Sequence, residues 1–127
     1  MRLYKNSSRA IETLKAHPKS WGSELWIENN KEYCGKILIF NAGGSTSMHF
    51  HILKLETMFL ESGEMKVILI DPENGAEYSE DLLPGDSIQI PRGQPHKLVA
   101  VEQSRLFEFS TQHFDSDSYR ISAPGTR

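Results

Sequence analysis

Cysteine is almost absent from this chain. Cys34 stands alone, so no internal disulfide can form and stability has to come from packing. Nothing near it in sequence would stabilise a thiolate, and its expected place is a half-buried strand position rather than that of a nucleophile. Long apolar runs are also missing. No stretch approaches the length needed to span a bilayer, and the N-terminal MRLYKNSSRAIETLKAH lacks the apolar centre of a secretory signal. The expected setting is therefore the cytoplasm, without a membrane partner. Basic charge is scarce as well: 14 Lys and Arg against 17 Asp and Glu give a formal net charge of -3. That balance leaves no electrostatic footprint for nucleic acid. There is no internal repeat and no low-complexity tract. At 127 residues the chain is long enough for one domain with a proper core and too short for two of ordinary size. It reads as an N-terminal extension over residues 1–19 followed by a single domain over residues 20–127.

What is present is a series of short strands punctuated by turns. Ser8 to Ala16 carries a weak helical pattern, with Ile11 and Leu14 three apart, Ser7 or Ser8 as caps and Pro18 as the stop. Leu25 to Glu28 reads as a short strand. Tyr33 to Ala42 holds the apolar run Ile37-Leu38-Ile39-Phe40, the pattern of a strand buried on both faces. Further strands are expected over Glu64 to Ile70, Ala76 to Leu82, Ser87 to Ile90, His96 to Val101 and Arg105 to Thr111, divided by turns at Pro72-Glu73-Asn74-Gly75 and Pro84-Gly85-Asp86. Many short strands at this spacing predict an all-β sandwich or barrel, here the double-sheet jelly roll with a short N-terminal helix.

Two stretches carry chemistry. The first has the spacing Gly43-x5-His49-x-His51-x4-Glu56-x6-Gly63. Histidines two apart on an extended segment project from one face and can grip one ion together. Glu56 lies an odd number of residues from both, so the chain must turn between them, within Ile52 to Leu55, for Glu56 to point inward on a returning strand. The second stretch, Gly85-x5-Pro91-x-Gly93-x2-His96, adds a third imidazole at the start of another strand. His49, His51, Glu56 and His96 together suit one divalent transition metal (Zn, Mn, Fe, Ni or Co) with positions left for water or substrate. Because imidazole binds metal only when neutral, affinity is expected to fall as pH drops through about 6. His17 and His113 fall outside both patterns and are expected to stand apart from the ion.

These two stretches resemble the signature motifs of the cupin superfamily, with Ala100 where the second motif usually ends in Asn. The resemblance implies a double-stranded β-helix, or jelly-roll, barrel. Over roughly residues 20 to 120 the chain is also similar to the C-terminal mannose-6-phosphate isomerase domain of the bifunctional enzymes that also make GDP-mannose. The shared features are Trp21-Gly22, Lys36, Gly43 and Ser47, Lys54 two before Glu56, Ile90-Pro91-x-Gly93-x2-His96-Lys97-Leu98, Phe107-Glu108-Phe109, and the closing Asp117 and Arg120. The chain departs from that family at His49, where Gln is usual, at Lys54 and Lys97, where Arg is usual, and at Thr57, where His is usual.

This second resemblance implies a sugar or sugar phosphate as ligand and aldose-ketose isomerisation as the reaction. Glu108 is then a candidate base, a hydroxide on the metal the alternative, and Lys97 a second catalytic candidate beside His96. Lys54, Arg92, Lys97 and Arg120 are the cations available to a phosphate. Two other readings stay open. An iron-dependent dioxygenase would use the same three-histidine set with an apolar lining drawn from Met48, Phe50, Met58 and Leu60, although alternation already turns Met48 and Phe50 away from the ion. A non-catalytic module would simply bind the sugar. A homodimer is expected, with Phe59 outward on a sheet face that a second copy covers.

Overall fold

The computed structural model describes residues 3, 5, 14–122 and 124–126. Most of the helix expected over Ser8 to Ala16 lies outside these residues. Its described end is not helical: Ala16 opens the first strand, β1 (Ala16–Lys19), which pairs antiparallel with β2 (Gly22–Asn29). The sheet therefore takes in residues that the 19/20 boundary assigned to the extension.

The remaining strands follow the turn residues closely. They are β3 (Cys34–Phe40), β4 (Gly44–Ser45), β5 (His49–Phe50), β6 (Glu56–Ser62), β7 (Met65–Ile70), β8 (Glu77–Leu82), β9 (Ser87–Ile90), β10 (His96–Ala100), β11 (Ser104–Ser110), β12 (Tyr119–Arg120) and β13 (Gly125–Thr126). One sheet has the order β1-β2-β3-β11-β6-β9. The other runs β12-β5-β10-β4-β13, with β7 also paired to β10 and β8 to β7. These are two separate hydrogen-bonded sheets, so the expected jelly roll takes the form of a sandwich rather than one closed barrel. Among the described residues no helix is long and apolar enough to cross a membrane.

Period-two burial builds the core between the sheets. From the first sheet come Leu38, Phe40, Met58, Leu60, Ile90 and Leu106; from the second, Met65, Val67, Leu69, Leu82, Leu98 and Ala100. Each fully buried Leu of this kind contributes about 2 kcal/mol relative to an exposed one. Met48 faces the other way, packing with Ile68 and Val99 in a second small cluster. The hairpin joining β6 to β7 requires its glycine: Gly63 has φ +94°, and a Cβ there would run into Ser104 Oγ and lie 2.5 Å from Gln103 O. β8 lies on an edge, and all of it but Leu82 is exposed and polar, which protects that edge from pairing with another chain.

Alternation also places charge inside. Trp26, Lys36, Glu108 and Met58 are successive cross-strand partners over β2, β3, β11 and β6. Lys36 and Glu108 are as buried as the aliphatic core, at 2% and 4% exposure. Toward one end of the sandwich the interior thus changes from hydrocarbon to ionised groups, and there the sheets part around a cavity of about 560 Å³.

Candidate metal centre

All five histidines of the chain line this one cavity: His17, His49, His51, His96 and His113. Three of them form a cluster. His49 on β5, His51 just beyond it and His96 at the start of β10 bring one ring nitrogen each within 4.8 Å of the others. The strands fix this meeting, since His96 is the direct cross-strand partner of His49.

The outer ring nitrogens decide what the inner ones offer. His49 Nδ1 lies 2.8 Å from Ser47 O, His51 Nδ1 2.9 Å from Asp117 O and His96 Nδ1 2.9 Å from Gln94 O. A carbonyl oxygen only accepts, so each Nδ1 carries the hydrogen and each neutral ring presents an Nε2 lone pair. Burial favours the neutral form. It pushes His49 down to about 3, assisted by the neighbouring His96, and lowers His51, assisted by Lys54.

Glu56 approaches the group from the opposite sheet. As expected, the chain turns over Ile52 to Leu55 and Glu56 opens β6 pointing inward, 2% exposed. Its Oε1 is 3.0 Å from His96 Nε2 and 3.9 Å from His51 Nε2, while Oε2 is 3.2 Å from Lys54 Nζ. Despite these close approaches neither oxygen receives an aligned hydrogen bond, so a buried carboxylate is left with unmet acceptor capacity beside three imidazole lone pairs. Burial pushes Glu56 up, but His96 and Lys54 outweigh it and hold the carboxyl well below its usual range. Neutral nitrogen donors around one anionic oxygen, already oriented by backbone carbonyls, fit a divalent transition metal.

The turn that aims these ligands is built by a residue that sequence reading placed only in a closing acidic segment. Asp117, 3% exposed, accepts hydrogen bonds through its carboxylate from the backbone N–H groups of Ile52, Leu53 and Lys54, at 2.9–3.2 Å. Its carbonyl holds the His51 ring. No spacing rule marks it, because the contact closes over more than sixty residues.

The expected cations divide. Lys54 lines the cavity but is occupied, with Nζ 3.1 Å from Glu108 Oε2 and 3.2 Å from both Glu56 Oε2 and His113 Nδ1. Burial alone would lower Lys54, yet Glu108 and Glu56 raise it well above the ordinary lysine value. Arg120 lines the mouth, as the cross-strand partner of His49 on β12. Lys97 and Arg92 do not line the cavity. Period-two alternation turns Lys97 to the face of β10 opposite His96, and Arg92 sits exposed in the Pro91 to Gly93 turn, its Nε donating to Leu53 O at 2.9 Å. Both assignments to substrate, and that of Lys97 to catalysis, are corrected by this placement. Lys19, which the sequence did not single out, lines the cavity instead.

The wall opposite the imidazoles is polar. Glu24 Oε1 accepts from Trp26 Nε1 at 3.0 Å and Lys36 Nζ at 3.1 Å, and Lys36 Nζ also lies 4.5 Å from the centre of the Trp26 ring. Burial pushes Glu24 up, but Lys36 and the Trp26 hydrogen bond bring it below the usual value. His17 stacks on Trp26 at 4.0 Å, and His113 meets the same ring edge-on at 5.4 Å. These two histidines line the cavity and stand outside the three-imidazole cluster. Of the apolar residues named for an oxygenase lining, Met58 alone lines the cavity; Leu60 is in the main core and Phe50 stacks on Tyr119.

A family model described as a cupin domain matches residues 36–109. No curated protein matches the chain. Among solved structures, a tryptophan-to-tyrosine variant of oxalate decarboxylase from Bacillus subtilis aligns with a TM-score of 0.77 at 15% identity, covering 95% of this chain and 34% of that one. Another structure of that enzyme, described for its Mn(II) centers, gives 0.76, 15%, 95% and 34%. CapF with the inhibitor 3-isopropenyl-tropolone gives a TM-score of 0.76 at 17% identity over 87% of this chain and 35% of that one. The chain thus spans about a third of the length of the proteins it matches.

Proposed function

Because the chain belongs to the cupin domain family, whose model covers more than half of it, we propose that it is a divalent-metal cupin acting on a sugar or sugar phosphate, as an aldose-ketose isomerase of the mannose-6-phosphate isomerase type. His49, His51, His96 and Glu56 would hold the ion, which when bound supplies a Lewis acid toward the substrate's carbonyl and neighbouring hydroxyl. The observation that carries the choice of substrate is the wall facing the imidazoles. Glu24, Lys36, Glu108 and Lys54 line it, and a molecule rich in hydroxyl groups satisfies such a surface where an apolar one does not.

Isomerisation needs a base that removes a proton from one carbon and returns it to the next. Glu108 would do this. Its Oε2 accepts from Lys54 at 3.1 Å and Ser110 at 3.2 Å, which fixes the carboxylate plane and leaves Oε1 without a hydrogen-bond partner among the described residues. Arg120 and Lys19 at the cavity lining are the cations for a phosphate, now that Lys54 is occupied by carboxylates.

The test is conversion between mannose 6-phosphate and fructose 6-phosphate by full-length protein loaded in turn with Zn, Mn, Co and Ni. Turnover that Glu108→Gln lowers by at least a hundredfold, with metal content unchanged, supports the reading. Metal-loaded protein that binds these sugars without converting them rejects the isomerase in favour of a binding module.

A further inference from the structure

We infer that Lys54 is a positioning residue that takes one oxygen from each of two buried carboxylates, leaving Glu56 Oε1 to the ion and Glu108 Oε1 to the substrate. This deepens the reading of the metal centre above and rests on it. The ammonium donates to Glu108 Oε2 at 3.1 Å and meets His113 Nδ1 at 3.2 Å, and it stands in an ion pair with Glu56 Oε2 at 3.2 Å. Its backbone is pinned too, since Lys54 N donates to Asp117 Oδ2 at 3.0 Å.

The consequence for Glu56 is a choice of oxygen. With Oε2 held by Lys54, the carboxylate turns Oε1 toward His96 and His51, and a carboxylate tethered in this way offers a metal one oxygen rather than two. His113 anchors the far side of the hub. It accepts from Lys54 at Nδ1, so its hydrogen is on Nε2, which donates to Asp115 Oδ1 at 2.9 Å. Lys54 thereby joins the metal-facing carboxylate of one strand to the substrate-facing carboxylate of another.

The readout is the visible absorption spectrum and affinity of Co(II) bound to the full chain. Lys54→Met should free Glu56 to rotate, changing the Co(II) band pattern and weakening Co(II) binding by about tenfold or more, the usual effect of losing such an outer partner. Because that variant leaves two unpaired carboxylates in the interior, the double variant Lys54→Met with Glu108→Gln, which keeps the parent's formal charge in the cluster, is measured beside it. Glu108→Gln alone should show the parent's spectrum. A double variant with the parent's spectrum and affinity overturns the inference while leaving the metal centre standing. A Glu108→Gln spectrum shifted as far as the double variant's also overturns it, because the effect then belongs to Glu108. A parent that binds no Co(II) overturns the metal-centre reading and this inference together.

Discussion

His49 shows how burial prepares a ligand. In the folded, metal-free chain it stays neutral down to about 3, against an ordinary value of 6.5. The unfolded chain therefore takes up a proton on this ring below about pH 6.5 while the folded chain does not. Its contribution to stability is present above that pH and is lost as pH falls through the window toward 3. Melting temperature of the metal-free protein is expected to decline steadily between pH 6.5 and 4, and His49→Gln is expected to flatten that decline. Metal affinity should also hold up below the pH of about 6 at which free imidazoles would release an ion. A second prediction concerns Lys97 and Arg120, both named from the sequence as cations for a phosphate. Lys97→Ala is expected to leave metal content and mannose 6-phosphate affinity unchanged in calorimetry, whereas Arg120→Ala weakens the sugar phosphate severalfold. Weakening by Lys97→Ala would contradict the placement of that side chain on the outer face of β10.

Among the elements, the loop between β5 and β6 matters most, because it converts an odd spacing into convergence. The turn over Ile52 to Leu55 was legible in the sequence: two histidines and a glutamate of opposite parity can share an ion only if the chain reverses between them. The same holds for β9, β10 and β11, whose bounds follow from Gly85, Pro91, Gly93 and the apolar alternation. What holds the loop was not legible. Asp117 reaches it from the far end of the chain, and a buried aspartate reads in sequence as one more surface charge. Likewise Lys36, inside the apolar run of β3, gives no local sign that Glu24 waits for it on the neighbouring strand. His17 enters the cavity through a strand pairing at the N-terminal edge that no motif announces, and His113 is brought to it by the hydrogen bonds between its backbone and the Asn29 side chain. Removing Asp117 unpairs three backbone N–H groups, so Asp117→Ala is expected to destabilise the protein by about 2–4 kcal/mol in denaturant titration. Metal affinity should fall with it, while Asp117→Asn, keeping one acceptor, should lose less.

For the molecule as a whole, two sheets share a hydrocarbon interior along most of their length and separate around polar groups at one end. The second sheet brings the imidazoles and Arg120, and the first brings Glu24, Glu56, Glu108, Lys19 and Lys36, so neither sheet holds the site alone. A metal held between them would tie the sheets together, and a chelator is expected to lower the melting temperature by an amount that grows with the metal concentration it removes. The most direct measurement is the metal content of full-length protein purified without chelator, beside His51→Ala and His96→Ala variants shown to be folded by circular dichroism. One equivalent of a divalent transition metal per parent chain, and a loss to near zero in both variants, is the expected result. A full equivalent retained in the variants, or none taken up by the parent when metal is supplied, would contradict a single ion held by His49, His51, His96 and Glu56.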